Sequence, residues 1–204
     1  MRMAISDSIR RLLRYRMCLE KFRRFGWETT YSYTLGKESG VSSEQIRKDF
    51  SKFKISGHKK GGYNINEILD KINQIFKKDV TDYIIIMGSG NIGEAIINYT
   101  GFQKHNIQIA GVFDIDPKKL KKKYRIPIYK TDMLKEIIDR YNVKIAVIAV
   151  PAIAAQEVCY ELVECGITGI MNFSPAILKT PDNVNVYNIE LIPVLEALIY
   201  HSNN

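Results

Sequence analysis

Residues 83–101 read YIIIMGSGNIGEAIINYTG. The apolar run Tyr83–Met87 breaks at Gly88-Ser89-Gly90-Asn91-Ile92-Gly93, and apolar residues then return at helical spacing. A strand entering a glycine turn that opens a helix is the setting in which G-x-G-x-x-G gains meaning. The first glycine allows a tight turn, the second lets backbone approach a diphosphate, and the third lets helix and strand pack closely. Amide N–H groups and the helix dipole at such a start favour an anion. Asp114 closes the next apolar run 21 residues after Gly93, where a carboxylate accepts from a ribose 2′-hydroxyl and repels a 2′-phosphate. The reading is an NAD(H) site. Lys118 and Lys119 lie near enough in sequence to admit a 2′-phosphate. A ligand-free turn with Asp114 as a strand-end cap is the alternative.

Downstream, apolar runs at Tyr83–Met87, Ile109–Phe113, Ile145–Val150 and Gly169–Asn172 alternate with helical patterns near Ile92–Tyr99, Met133–Tyr141 and Ala154–Cys165. Strands apolar on both faces, separated by helices, imply an α/β fold with a Rossmann-type parallel sheet. A last helical pattern spans Ile189–Tyr200, with Pro193 in its first turn.

Upstream the charge changes. The chain of 204 residues carries a formal net charge of +8, and residues 1–60 hold 15 Lys or Arg against 6 Asp or Glu, while the remainder is nearly balanced. The positive field therefore belongs to the first third, which favours a polyanionic partner there. Helical periodicity runs from Ile5 to Phe25, then through Tyr33–Ser39 and Ser43–Phe53 around Gly40-Val41-Ser42, with Ser42 or Ser43 as the N-cap. Helix, glycine turn and helix form a helix-turn-helix. Ile46, Phe50 and Phe53 share one face of its second helix, which leaves Gln45, Arg47, Lys48, Ser51 and Lys52 to meet base edges and phosphates. SGHKKGGY at 56–63 reads as a basic hairpin, a wing whose His58, Lys59 and Lys60 reach a groove or backbone. A fourth helical pattern, Asn64–Lys78, leads to a polar joint at residues 77–82. The expected organisation is a winged helix over residues 1–80, a Rossmann domain over 81–187 and a C-terminal helix over 188–204.

Three cysteines, Cys18, Cys159 and Cys165, lack CxxC spacing and indicate neither a disulfide framework nor zinc. No run nears the roughly 18 apolar residues of a membrane span, so a soluble cytoplasmic protein is expected. Catalytic groups are scarce: His58, His105 and His201 fall in the wing, a loop and the tail, and no GxSxG, HExxH or Walker lysine occurs. The dinucleotide then serves as a signal and not as a reactant.

The sequence resembles the Rex redox-sensing transcriptional repressors. The resemblance lies in Ile9–Leu12, Ser43–Phe53, Gly57–Tyr63, Gly88–Tyr99 with Gly101 and Phe102, Phe113–Pro117, Val150–Ala152, Ala155–Glu157 and Gly169–Pro175. It implies a homodimer whose C-terminal helix, about Glu190–Tyr200, exchanges between subunits, and which binds operator DNA until NADH releases it. By the same resemblance Gly88, Ser89, Gly90, Asn91, Ile92 and Gly93 hold the diphosphate and Asp114 the adenosine ribose. Tyr99, Pro151, Ala152, Phe173 and Pro175 line the nicotinamide end, and Glu190 opens the exchanged helix. Arg11, Arg47, Lys48, Ser51, Lys59 and Tyr63 lie at the DNA. The chain departs from the family at Leu13, where proline is usual, and at Met17 and Glu94, where arginine is. Glu190 stands for the usual aspartate, and Lys60 takes a glycine position. In the family the first-helix arginine and the acid couple cofactor state to domain position. A diverged relative that binds DNA whatever its cofactor state is one alternative, and a small NAD-dependent oxidoreductase is another.

Overall fold

A parallel strand that is apolar at every position must be covered on both faces. The computed structural model, which describes residues 6–57, 61–77, 79–116 and 126–203, satisfies this in one of two compact units that meet in sequence at Val80 and Thr81.

The first unit is helical: α1 (Asp7–Arg24), α2 (Ser32–Ser39), α3 (Ser43–Lys52) and α4 (Ile65–Ile75). Leu12, Leu19, Leu35, Ile46, Phe50 and Ile68 form its core. Gly40 ends α2 at φ +71°, and the Ser42 side chain accepts from the Gln45 N–H at 3.1 Å to cap α3. The turn sits tightly on α2, since a Cβ on Gly36 would lie 2.7 Å from the Val41 carbonyl oxygen. Two short strands, β1 (Thr29–Thr30) and β2 (Tyr63–Asn64), pair antiparallel. The partner of Tyr63 is thus Thr30, and not Ser56 or Gly57 as a simple hairpin would require. The wing tip, His58, Lys59 and Lys60, lies outside the described residues.

One buried acid ties α1 to α3. Asp49, 2% exposed, accepts from Arg11 Nε at 2.6 Å and Nη2 at 2.7 Å, from the Tyr15 hydroxyl at 2.7 Å and from Gln45 Nε2 at 3.0 Å. Burial alone would raise the Asp49 pKa; the hydrogen bonds from Arg11, Tyr15 and Gln45 outweigh it and hold the acid below its ordinary range. The Tyr15 hydroxyl is pushed up, first by burial and then by its bond to Asp49.

The second unit holds six parallel strands: β3 (Asp82–Met87), β4 (Ile107–Phe113), β5 (Ile128–Tyr129), β6 (Ile145–Ile148), β7 (Gly169–Asn172) and β8 (Asn185–Asn188). They form one sheet of order β5-β4-β3-β6-β7-β8. Among the described residues four α-helices accompany them: α5 (Asn91–Ile97), α6 (Leu134–Tyr141), α7 (Ala152–Glu164) and α8 (Leu191–Asn203). Ile85 and Met87 point to one face with Leu134, Ile137, Cys159 and Leu162. Ile84 and Ile86 point to the other with Ile97 and Val112. The alternation along one strand thus feeds two cores. β3 and β6 are neighbours in the sheet although β4 and β5 intervene in sequence, so the chain reverses its direction of winding at β3 and opens a crevice beyond their carboxyl ends.

Because Asp49 is depressed in the folded state, its contribution to stability is complete above the ordinary value of 3.8 and fades as pH falls below it. Asp49→Asn should lower the stability of the helical unit by about 2–3 kcal/mol at neutral pH, less than for a fully buried pair because Arg11 keeps some solvent contact. The loss should shrink below about pH 4, and thermal melts across that range measure both effects.

Candidate functional site

At the carboxyl end of β3 the backbone turns at Gly88, φ +96°, where a Cβ would lie 2.7 Å from the Ala149 carbonyl oxygen. At Gly93 a Cβ would overlap the Gly88 carbonyl itself, so α5 can cross β3 this closely only without a side chain. Gly90 differs, because a Cβ there would meet no atom within 4 Å. Its bareness serves whatever comes to the open side of the loop. Gly90 also caps α5 with no side-chain bond, which leaves the first-turn N–H groups to an outside acceptor.

Asp114, 8% exposed, holds the loop from the next strand. Its Oδ2 accepts from the Ser89 N–H at 2.8 Å and the Ser89 hydroxyl at 2.6 Å, and its Oδ1 from the Asp116 N–H at 2.9 Å. The acid is therefore a clamp on the loop as well as a candidate ribose acceptor. Asn91 and Ile92 are exposed on the same turn. Lys118 and Lys119 lie outside the described residues.

Across the crevice, Pro151 caps α7 and Ala152 begins it, both exposed. Phe173 and Pro175 follow β7 and, with Asn188 and Glu190, line a cavity of about 350 Å³. Tyr99 is not brought there within one chain. It lies edge-on to Phe102 at 5.1 Å and lines a cavity of about 660 Å³ with Ile107 and Ile109 at the amino end of β4. The reason is the length of α5, which ends at Ile97 and carries the chain away from the crevice.

In the helical unit α3 presents Arg47, Lys48, Ser51 and Lys52 outward. Arg47 Nη1 donates to Ser32 Oγ at 3.2 Å, Lys48 pairs with Glu44 at 2.8 Å, and Lys52 Nζ donates to Ser8 Oγ at 2.8 Å. The exposed contacts of Arg47 and Lys48 exchange easily for phosphate. Arg11 and Gln45, expected at nucleic acid, instead turn inward to Asp49, and Tyr63 packs edge-on against Phe50 at 5.0 Å. Sequence reasoning missed Asp49, although an acid beside Ile46 and Phe50 on a helix must find partners. Met17 is 67% exposed, whereas Arg16 is 8% exposed with its guanidinium 5.7 Å over the Phe76 ring. Arg16 thus cannot take the place of an arginine at 17. Among the described residues no group of three or more His, Cys, Asp or Glu is placed to hold a metal.

A helix-turn-helix unit followed by a glycine-loop parallel sheet defines a two-unit protein of the regulator class. Similarity to known proteins agrees with both halves. The family described as putative DNA-binding protein N-terminus matches residues 6–51, and that described as CoA binding domain matches residues 79–176. The redox-sensing transcriptional repressor Rex of Carboxydothermus hydrogenoformans is 38% identical over 95% of this chain and 94% of its own. The Rex of Brevibacillus brevis is 36% identical over 97% and 96%. A crystal structure of the repressor RSP with β-NADH superposes with a TM-score of 0.87, at 34% identity, over 100% of this chain and 96% of that one. One of RSP with β-NAD+ and operator DNA reaches 0.92 at 34% identity, over 99% and 94%. The chain belongs to the Rex family of redox-sensing transcriptional repressors. These relatives are named as repressors and not as enzymes.

Asp114→Ala should weaken NADH binding at least tenfold in calorimetry, because the loop loses its clamp. Cofactor-free DNA binding should stay within twofold.

Proposed function

We propose that the protein is a dimeric repressor that binds operator DNA through α3 and lets go when NADH occupies the glycine-loop crevice. The observation that carries this is the presence in one chain of an outward basic helix behind a glycine turn and an open, acid-clamped glycine loop. Arg47, Lys48, Ser51 and Lys52 supply phosphate and base-edge contacts; Arg11 and Gln45 act through Asp49 by fixing α3 on α1. The open face of Gly90 and the first-turn N–H groups of α5 fit a diphosphate, and Asp114 a ribose hydroxyl. Pro151, Ala152, Phe173 and Pro175 offer the ring a largely apolar surround, which takes a neutral dihydronicotinamide at lower desolvation cost than the charged oxidised ring. NADH shifts the DNA equilibrium only by its different affinity for the two conformations.

A second copy is called for by α8. Leu191, Ile192, Val194, Leu195, Leu198, Ile199 and Tyr200 are each 53–65% exposed, and no residue of this helix is buried. So continuous an apolar surface is covered in a stable assembly, here by exchange into the partner subunit. Glu190 immediately precedes that helix. Among the described residues no helix is long and apolar enough to cross a membrane, and we place the protein in the cytoplasm, where operator DNA and NADH meet.

In fluorescence anisotropy on labelled palindromic operators at one salt concentration, the protein should bind with no addition or with NAD+ and be released by NADH. Indifference to all three states would favour the cofactor-insensitive relative that Met17 and Glu94 suggest. Leu195→Asp with Leu198→Asp should give a monomer in light scattering, with operator affinity reduced at least tenfold.

A further inference from the structure

The start of α2 breaks a local rule and gains nothing for the helix by it. Tyr31 holds the N-cap position, where a short polar side chain would accept from a first-turn N–H, and its own side chain accepts none. Tyr31 is 56% exposed, and Tyr33, two residues on, is 71% exposed. Two large aromatic side chains thus stand in water on one turn.

Their neighbours give them a use. Between them in sequence, Ser32 Oγ accepts from Arg47 Nη1 at 3.2 Å, so this turn lies beside the outward, basic side of α3. The Tyr31 ring is set against bare backbone, since a Cβ on Gly62, just before β2, would stand 3.1 Å from two of its carbons. The ring is therefore held while much of the residue faces solvent. The first turn of α2 carries no acid to repel a phosphate, and on α3 Lys48 pairs with Glu44 at 2.8 Å.

A phenol is an apolar plate with one O–H at its tip, and its few side-chain torsions leave little entropy to lose on contact. Against duplex DNA the plate packs on a sugar and the hydroxyl donates to a phosphate oxygen. Such a contact differs in kind from that of Arg47 or Lys48. A cation that meets a phosphate releases counterions, so its contribution fades as salt rises, whereas a neutral donor releases none.

We propose that Tyr31 and Tyr33 are neutral contacts to the sugar–phosphate backbone of the operator, and that they supply a salt-resistant part of the affinity beside the cations of α3. The proposal rests on the DNA reading of α3.

The test is fluorescence anisotropy of the full-length wild type, the double variant Tyr31→Phe with Tyr33→Phe, and Lys48→Ala. Each is titrated on a labelled palindromic operator and on an unrelated duplex of the same length, across a series of salt concentrations, with thermal melts alongside. The double variant keeps both rings and should melt as the wild type does, yet bind both duplexes at least fivefold more weakly. That factor should hold at every salt concentration and leave the slope of log affinity against log salt unchanged, whereas Lys48→Ala should flatten the slope by about one unit. Affinity of the double variant equal to wild type overturns the proposal. So does a flattened slope, a loss confined to the operator, which would mark base contacts, or a loss that follows a lowered melting temperature, which would mark a structural role. If the wild type binds neither duplex, the DNA reading falls and the proposal falls with it.

Discussion

The second unit depends on one close approach, that of the Gly93 backbone against the Gly88 carbonyl. A parallel strand as apolar as β3 needs a helix on each face, and α5 reaches its face only because position 93 carries no side chain. The same crossing delivers the amino end of α5 to the carboxyl end of β3, at the point where the sheet changes its direction of winding. Fold and candidate anion site are therefore a single solution. Ser89 and Asp114 then fasten the loop to β4 through a carboxylate, so the loop is shaped before any ligand arrives and little ordering is left to be done on binding.

The helical unit solves a different problem with the same economy. Its outward helix must be both basic and rigid. Asp49 supplies the rigidity from beneath by taking up Arg11, Tyr15 and Gln45, and this leaves Arg47, Lys48 and Lys52 as the cations of α3 toward solvent. An acid buried beneath a basic helix is tolerable because a bidentate arginine and two further donors satisfy it.

Much of this was legible in the sequence. β3, β4, β6 and β7 announce themselves as unbroken apolar runs, and the glycine spacing with Asp114 marks the loop. β8 escaped because Asn185-Val-Tyr-Asn188 is an edge strand, half polar, and β5 because two residues carry no period. The inward turn of Arg11 and Gln45 was hidden for a physical reason: periodicity assigns a face to a residue, but a long side chain at the border of two faces goes where its charge is best satisfied. Where Tyr99 lies within one chain follows from the length of α5 and not from the order of residues.

The central claim is that one chain couples the glycine-loop crevice to α3, and coupling is reciprocal: operator DNA must weaken NADH by the same factor that NADH weakens the operator. The direct measurement is the NADH dissociation constant of the protein, free and saturated with operator, at one salt concentration. At least tenfold weaker NADH binding in the presence of operator is predicted. Equal affinity in the two states would contradict the account and leave two sites that share a chain without sharing a switch.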